Sequence, residues 1–281
     1  MNEMQGTETG AQPNEKFIVH DAFRCQVCGG AARLFDVVDF NKSCEEARGK
    51  FLPLSGAAVY YARCDACGFC YAPEFRKWTR DDFARHVYNE SYVDIDPDYI
   101  GARPMAHAKL LRNIFGREAA AVRHLDYGGG RGLLSRLLAE TGWSSASYDP
   151  FVDTAVSIET LGQFNFITAF EVFEHVVDPI ALMHDLKTLL APGGMIMLST
   201  GLSDGKIVAG QRLTWWYASP RNGHISLFSA ASLATLARTF GFDLRSSSDS
   251  LHFLLTSVPE WAAHLFRPRE PAAAAAGVQR P

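Results

Sequence analysis

The sequence predicts an α/β protein in which a mainly parallel sheet with flanking helices follows a small cysteine-rich domain. Three observations lead to this prediction. Two CxxC pairs lie in the first quarter of the 281 residues. A short strand then runs into a glycine-rich turn and an amphipathic helix over residues 123–142, and a strand–loop–helix–strand unit follows over residues 164–200. Strands that alternate with helices in this way form parallel sheets.

Composition and charge exclude several classes of protein. The chain is 47% hydrophobic and 21% charged, with a net charge of −4 and a pI near 6.1, so we expect no nucleic-acid partner. No apolar run approaches the roughly 20 residues of a membrane span, so we expect no membrane partner. The polar first sixteen residues do not resemble a secretory signal. We therefore expect a cytoplasmic protein, and its oligomeric state stays open.

Shifts in composition divide the chain into five segments. We predict a disordered tail, a zinc-ribbon-like domain, a helical linker or cover, the main α/β domain and a C-terminal tail at residues 1–16, 17–76, 77–120, 121–258 and 259–281. The length allows one large domain with one small module.

The four cysteines of the two CxxC pairs have the spacing of metal ligands. Each CxxC turn places two thiolates on one side of a knuckle, and two knuckles together form a tetrahedral cage that suits zinc. The sequence therefore predicts a structural Zn²⁺ site, with a redox pair or accidental thiols as the alternatives. The predicted ligands are Cys25, Cys28, Cys64 and Cys67. Cys44 and Cys70 are left over, and Cys70 lies in a predicted strand.

The glycine-rich turn, in the stretch HLDYGGGRGLL, lies at the start of a predicted helix. Free N–H groups at a helix N-terminus favour an anionic ligand. The dinucleotide fingerprint GxGxxG requires glycine at position 133, where this chain has leucine, and the absence of Gly-Lys-Ser/Thr excludes a P-loop. The pattern is instead Asp126-x-Gly128-x-Gly130-x-Gly132. A second acid, Asp149, ends the next predicted strand, where a carboxylate can accept both hydroxyls of an adenosine ribose.

These segments resemble the class I S-adenosylmethionine-dependent methyltransferases. The glycine turn and Asp149 resemble that family's first motif, and FNFITAFEVFEHVVDPIALMHDLKTLLAPGGMIMLST resembles its fourth strand, acid–His loop, helix, Gly-Gly turn and fifth strand. The resemblance implies a Rossmann-like seven-stranded methyltransferase sheet that ends in an antiparallel hairpin. Because only sixteen residues separate Asp149 from Phe166, the third-strand region must be abbreviated, with SIET as its candidate strand.

The same resemblance implies S-adenosyl-L-methionine as the cofactor and identifies the residues that would surround it. These are Asp126, Gly128, Gly130, Gly132, Asp149, Pro150, Phe151, Phe170 and Glu171.

Two segments supply candidate catalytic residues. Methyl transfer requires an aligned acceptor and, for a weak nucleophile, a base. In this fold the loop after the fourth strand faces the methyl group, which makes His175 the predicted base and Glu174 its partner. The alternative is that both residues only brace the loop. His224 and Tyr217, in the second segment, are the alternative bases.

That second segment, RLTWWYASPRNGHISLFS at residues 212–229, is the predicted acceptor-binding loop. Aromatic faces stack on rings or sugars, and arginine binds phosphate in a bidentate manner. Its predicted acceptor-binding residues are Trp216, Arg221 and Asn222, although the aromatic residues would also suit a protein core.

A CxxC module before such a domain resembles bacterial methyltransferases that act on nucleotide-linked sugars or glycan-biosynthesis intermediates. The resemblance implies C- or O-methylation of a nucleotide sugar or a glycan intermediate. The alternatives are an O-methyltransferase of a small aromatic or quinone metabolite, and a non-catalytic binding protein that retains the fold as a scaffold. The presence of Asp126, Gly130 and Asp149 disfavours a non-catalytic protein, and the acidic pI disfavours RNA methylation.

Overall fold

A computed structural model of the protein describes residues 23–267. The predicted tail at residues 1–16, the start of the predicted ribbon domain and residues 268–281 lie outside the described residues. Strands in the described part are β1 Phe23–Arg24, β2 Ala31–Asp39, β3 Ala58–Cys64, β4 Cys70–Tyr71, β5 Arg123–Tyr127, β6 Ser144–Tyr148, β7 Phe164–Phe170, β8 Leu190–Ser199, β9 Ser226–Leu227, β10 Asp243–Ser246 and β11 Leu251–Leu255. The α-helices are α1 Arg80–His86, α2 Tyr92–Ile95, α3 Ala102–Phe115, α4 Leu133–Ala139, α5 Pro179–Leu189 and α6 Ala230–Thr239.

The larger sheet has the order β10-β11-β8-β7-β5-β6. Its four strands β6, β5, β7 and β8 are parallel, and β11 and β10 complete one edge as an antiparallel hairpin. The predicted α/β fold is therefore confirmed. Because parallel strands end at the same edge of a sheet, the loops that follow β5, β6 and β7 lie side by side.

The number of strands in this sheet differs from the prediction. We expected seven, and six are present among the described residues. The SIET segment, the candidate third strand, contributes a 3₁₀ turn at Ile158–Thr160 instead. The segment before β7 is too short for a full helix and a strand, and the side chains of Ile158 and Leu161 pack on the core without extending the sheet.

The smaller sheet is antiparallel, with the order β1-β2-β3-β4-β9. Its first four strands come from the cysteine-rich segment. The fifth, β9, comes from the predicted acceptor-binding loop far along the chain. The two predicted domains therefore share a sheet.

Three α-helices, α1, α2 and α3, lie within residues 77–120, the segment predicted to be a helical linker or cover. Thr79 caps α1 in a capping box with Asp82, which fixes where that helix begins. Leu111 and Phe115 of α3 are buried in the core cluster on one face of the larger sheet. Residues 260–266, which we assigned to the C-terminal tail, form a 3₁₀ helix whose Ala262 is buried in the same cluster. No helix within residues 23–267 has the length and apolar character to span a bilayer.

Candidate functional site

The two cysteine knuckles meet at one end of the smaller sheet. The Sγ atoms of Cys25 and Cys67 are 3.7 Å apart, those of Cys28 and Cys64 are 3.5 Å apart, and all four lie within 4.8 Å of one another. Four thiolates at about 2.3 Å from a tetrahedral zinc ion would have their sulfur atoms roughly 3.8 Å apart. The four predicted ligands therefore fit zinc in both chemistry and spacing.

The other two cysteines lie outside this cluster, as the spacing predicts. Cys70 is fully buried in β4, and Cys44 contacts the acceptor-binding loop. Burial raises the pKa of the Cys44 thiol to about 12, so this thiol stays protonated at neutral pH.

The glycine turn requires glycine for two different physical reasons. Gly128, Gly130 and Gly132 have φ values of 75°, 56° and 71°, which side chains rarely adopt. Gly129 is required because there is no room for a side chain: a Cβ atom there would lie 2.4 Å from both Asp126 Oδ2 and Ser147 Oγ. The sequence pattern treated position 129 as variable, so this requirement was missed.

The two predicted cofactor acids differ in accessibility. Asp126 is buried, its Oδ1 accepts a hydrogen bond from Thr168 Oγ1 at 2.8 Å, and burial raises its pKa to about 7. Asp149 follows β6 and accepts hydrogen bonds from the backbone N–H groups of Gly130 at 2.9 Å and Phe151 at 2.8 Å. Each carboxylate oxygen retains a lone pair for a further donor. Asp149 therefore keeps hydrogen-bonding capacity at the edge of the turn, whereas Asp126 is enclosed beside it.

Aromatic side chains flank the turn on the side of the missing third strand. Phe151 is 44% exposed, and its ring lies 5.5 Å from that of Tyr88, in an edge-on arrangement. Pro150 is half-buried in the same turn. The hydroxyl of Tyr88 lies 3.1 Å from Nδ1 of His175, so this tyrosine connects the loop after β6 to the loop after β7.

The loop after β7 begins with a constrained glutamate. Glu171 has a φ of 53° and is the one non-glycine residue with positive φ among the described residues. Its backbone N–H donates to Ser199 Oγ at 2.9 Å, and that hydroxyl donates to its Oε1 at 2.7 Å. The preceding Phe170 packs its ring 4.3 Å from that of His107 on α3. Both predicted cofactor residues are thus fixed at the end of β7.

The four predicted catalytic residues come together in the structure. Glu174 is fully buried and accepts a hydrogen bond from the hydroxyl of Tyr217. The rings of His175 and His224 are 4.8 Å apart. Burial, followed by the charge of Glu171, raises the pKa of Glu174 to about 8. Burial also lowers the pKa of His175 to about 4 and that of His224 well below its usual value, so both imidazoles are neutral at physiological pH.

A backbone contact distinguishes His224 from His175. Nδ1 of His224 lies 2.8 Å from the carbonyl oxygen of Tyr217, which can only accept a hydrogen bond. We therefore assign the proton to Nδ1, which leaves Nε2 with a free lone pair. For His175 the partner is the Tyr88 hydroxyl, which can donate or accept, so the hydrogen bond does not fix its tautomer.

The predicted acceptor-binding residues have different environments. Trp216 is 44% exposed and lines a cavity of about 190 Å³ beside the two histidines. Arg221 is buried, and its Nη1 donates to the carbonyl of Val87 at 2.9 Å. Asn222 is buried and accepts a hydrogen bond from the backbone N–H of Cys44 at 2.8 Å. Arg221 therefore anchors the loop to the helical cover, and Asn222 anchors it to the cysteine-rich segment.

Three separate parts of the chain line the cavity. The cysteine-rich segment contributes four residues from within 44–48, and the helical cover contributes four from within 95–103. The α/β domain contributes Glu171, His175 and four residues from within 216–224. An ion pair between Arg48 and Asp98 joins the first two parts at 3.0 Å. The sequence did not predict that residues 44–48 and 95–103 would line the site. The one indication was that Cys44 had no metal-binding role.

Comparison with known proteins agrees with this architecture. Residues 99–247, just over half of the chain, match the family described as "Methyltransferase domain". The chain therefore belongs to the methyltransferase-domain family.

Curated relatives include the ubiquinone biosynthesis O-methyltransferases of Parvibaculum lavamentivorans and Xanthomonas euvesicatoria. The first is 33% identical over 143 residues, which cover 41% of this chain and 52% of that protein. The second is 36% identical over 106 residues, which cover 30% of this chain and 44% of that protein. The chain thus spans about half the length of the curated relatives it matches.

Among solved structures, the chain is similar to the 1,6-didemethyltoxoflavin-N1-methyltransferase of Burkholderia thailandensis, with bound 1,6-didemethyltoxoflavin and S-adenosylhomocysteine. The TM-score is 0.44 at 19% identity, and the match covers 72% of this chain and 96% of that one.

Proposed function

We propose that the protein transfers a methyl group from S-adenosyl-L-methionine to a hydroxyl group of a small-molecule acceptor. One observation carries this proposal: a glycine turn with a carboxylate beside it and a cavity with two neutral histidines lie at the same edge of one parallel sheet. The family membership and the curated O-methyltransferase relatives support the same reaction class.

The residues of the turn fit an adenosine cofactor with a positively charged centre. Asp149 would accept hydrogen bonds from the ribose hydroxyls, and Gly128, Gly130 and Gly132 would let the backbone approach the methionyl part. Glu171 would lie on the side of the positive charge. When bound, S-adenosylmethionine supplies an electrophilic methyl group.

The acceptor side of the mechanism is assigned to His224. Its Nε2 would accept the proton of the acceptor hydroxyl, and Tyr217 would hold the ring through its carbonyl oxygen. A neutral imidazole is the form that can act as a base, and burial maintains that form. Trp216 would cover one face of the acceptor.

A nucleotide-linked sugar is the second candidate acceptor, and the cavity lining favours it. Small aromatic ligands bind in mostly apolar pockets. This cavity is lined by charged and polar groups, among them Asp96, Arg103 and Glu171, which suit an acceptor with several hydroxyl groups.

The site at the four cysteines is proposed to hold a structural zinc ion, supported by the sulfur spacing. Zinc content of the purified protein, measured by mass spectrometry, should be close to one equivalent per chain. The Cys64→Ser variant should lose the metal. The Cys44→Ser variant should retain it, because Cys44 lies outside the cluster.

Calorimetry with S-adenosylhomocysteine, followed by a panel of catechol-type and nucleotide-sugar acceptors, tests the proposed reaction. Binding of S-adenosylhomocysteine is expected first, and one acceptor class should then bind to that complex. In a separate reaction with S-adenosylmethionine, the same acceptor class should become methylated and S-adenosylhomocysteine should be released. Failure to bind S-adenosylhomocysteine would overturn the proposal and favour a non-catalytic protein.

A further inference from the structure

The second cysteine knuckle and the acceptor-side histidine belong to one continuous stretch of sheet. β4 begins three residues after Cys67 and pairs with β9 through Cys70 opposite Leu227 and Tyr71 opposite Ser226. The backbone N–H of Ala72 extends this pairing by donating to the carbonyl of Ile225 at 2.9 Å. Since Ile225 follows His224 directly, the position of the knuckle and the position of the histidine are mechanically connected.

Two side-chain hydrogen bonds reinforce this connection. The buried hydroxyl of Tyr61, on β3, donates to the carbonyl oxygen of His224 at 2.7 Å. Ser229, at the start of α6, donates from Oγ to the carbonyl oxygen of Cys67 at 2.6 Å. The acceptor-binding loop is therefore held to the cysteine-rich segment on both sides of β9.

An earlier part of the acceptor-binding loop is tied to the same cysteine-rich segment. The backbone N–H of Arg221 donates to the carbonyl of Lys42 at 3.2 Å, and Lys42 Nζ donates to the carbonyl of Trp215 at 2.9 Å. By contrast, the glycine turn is built on β5 and β6, in the other sheet.

We propose that the metal at the four cysteines positions His224 for the acceptor, without setting cofactor affinity. β4 and β9 are only two residues long, and so short a strand pair is marginal by itself. Metal binding orders the knuckle beside β4, and that order passes through β4 and β9 to the histidine. The inference rests on the zinc site and the role of His224 proposed above.

Hydrogen exchange read by mass spectrometry tests this coupling without any turnover. The full chain is compared as purified with zinc, after chelation, and after zinc is restored. Chelation should raise exchange across residues 222–229 by about tenfold and restored zinc should reverse it, because opening of β4–β9 exposes those amides. Residues 124–134 and the Kd for S-adenosylhomocysteine should stay unchanged.

The outcomes separate the two proposals. If residues 60–72 lose protection on chelation and residues 222–229 do not, the coupling is wrong. It is also wrong if residues 124–134 loosen to the same extent, since the effect would then be general unfolding. If the zinc-loaded protein fails to bind S-adenosylhomocysteine, the proposed reaction fails while the exchange data still decide the coupling.

A matched pair of variants tests the route through β3 with the metal in place. Tyr61→Phe removes the hydroxyl bonded to His224, and Tyr71→Phe removes one that donates to Arg24 at 3.1 Å, within the cysteine-rich segment. Both variants should retain zinc. Exchange at 222–229 should rise about threefold or more in Tyr61→Phe alone. Equal exchange in the two variants would overturn the route.

Discussion

The cofactor side and the acceptor side of the site are built in different ways. The glycine turn comes from one run of seven residues, 126–132, with Asp149 at the end of the neighbouring strand. The cavity beside it is assembled from residues 44–48, residues 95–103 and the loops after β7 and β8. One side is a local structure, and the other exists only after distant segments have packed together.

This difference determines which physical property controls each side. In the glycine turn, backbone angles and the space for a Cβ atom decide which residues are allowed. On the acceptor side, burial decides the protonation of Glu174, His175 and His224. Hydrogen bonds with Tyr217 and Tyr88 orient these three side chains. Substitutions in the turn should therefore act on folding and cofactor affinity. Substitutions on the acceptor side should act on turnover, on KM for the acceptor and, at the buried Glu174, on how stability depends on pH.

Gly129→Ala should produce the largest effect on the cofactor side. Its Cβ would meet Asp126 and Ser147 at 2.4 Å, and such overpacking should lower the free energy of unfolding by about 3 kcal/mol. Affinity for S-adenosylhomocysteine should fall with it. Urea unfolding and calorimetry measure the two quantities. Gly101→Ala, where no atom lies within 4 Å of the added methyl, is the control that should change neither.

His224→Gln should produce the largest effect on the acceptor side. Loss of a general base lowers turnover by about 10²–10⁴-fold. Because His224 lies outside the glycine turn, the Kd for S-adenosylhomocysteine should stay constant. Steady-state kinetics of His224→Gln and His175→Gln compare the two histidines. If kcat is unchanged in His224→Gln and falls strongly in His175→Gln, the base is His175 and not His224.

Glu174→Gln should change how stability depends on pH. With its pKa raised to about 8 in the folded chain, against an ordinary 4.5, wild-type Glu174 binds a proton more tightly in the folded state. The stability that this protonation contributes is present at acidic pH and is lost as pH rises from about 4.5 to 8. Glutamine mimics the protonated form, so the variant should gain about 2 kcal/mol relative to wild type between pH 6 and pH 8.

Urea unfolding of both proteins at several pH values measures that difference. Comparing wild type with the variant removes the contribution of Asp126, whose pKa burial also raises. A constant difference across pH 6–8 would mean that Glu174 is already ionised in the folded protein.

Trp216→Ala should have the smallest effect and should be confined to the acceptor side. Loss of one aromatic contact raises KM for the acceptor by roughly 2–10-fold. Because Trp216 is 44% exposed, the melting temperature should change little. Phe51→Ala, at a residue 73% exposed and outside the cavity lining, is the aromatic control and should leave KM unchanged.

The same contrast explains how much could be predicted from the sequence. The order β5, α4, β6, β7, α5 and β8 and the final hairpin follow from local patterns, and they are present in the structure, unlike the expected third strand. Asp178 and Ser229, residue types typical of helix N-caps, cap α5 and α6. The clustering of the four cysteines also follows from spacing alone. The roles of the cofactor and catalytic residues stay predictions.

What could not be predicted depends on pairing between distant segments. The side chain of Arg221 has the chemistry of a phosphate ligand, yet in the folded chain it donates to the carbonyl of Val87. The contribution of Cys44 and Arg48 to the cavity wall depends on contacts with residues far along the chain, Asn222 and Asp98. No local pattern encodes such pairing, since the partners of β4 and β9 are set by packing across the whole chain.

That shared sheet also has a consequence for how the protein is made. Four strands of the smaller sheet are complete by Tyr71, but their fifth strand is synthesised only after residues 72–225. At ordinary rates of translation the delay is roughly 8–30 s. Throughout that interval the edge of β4 lacks its partner, and an unpaired edge invites pairing with other chains. The cysteine-rich segment therefore leaves the ribosome before the α/β domain but can complete its sheet only after most of that domain has been made.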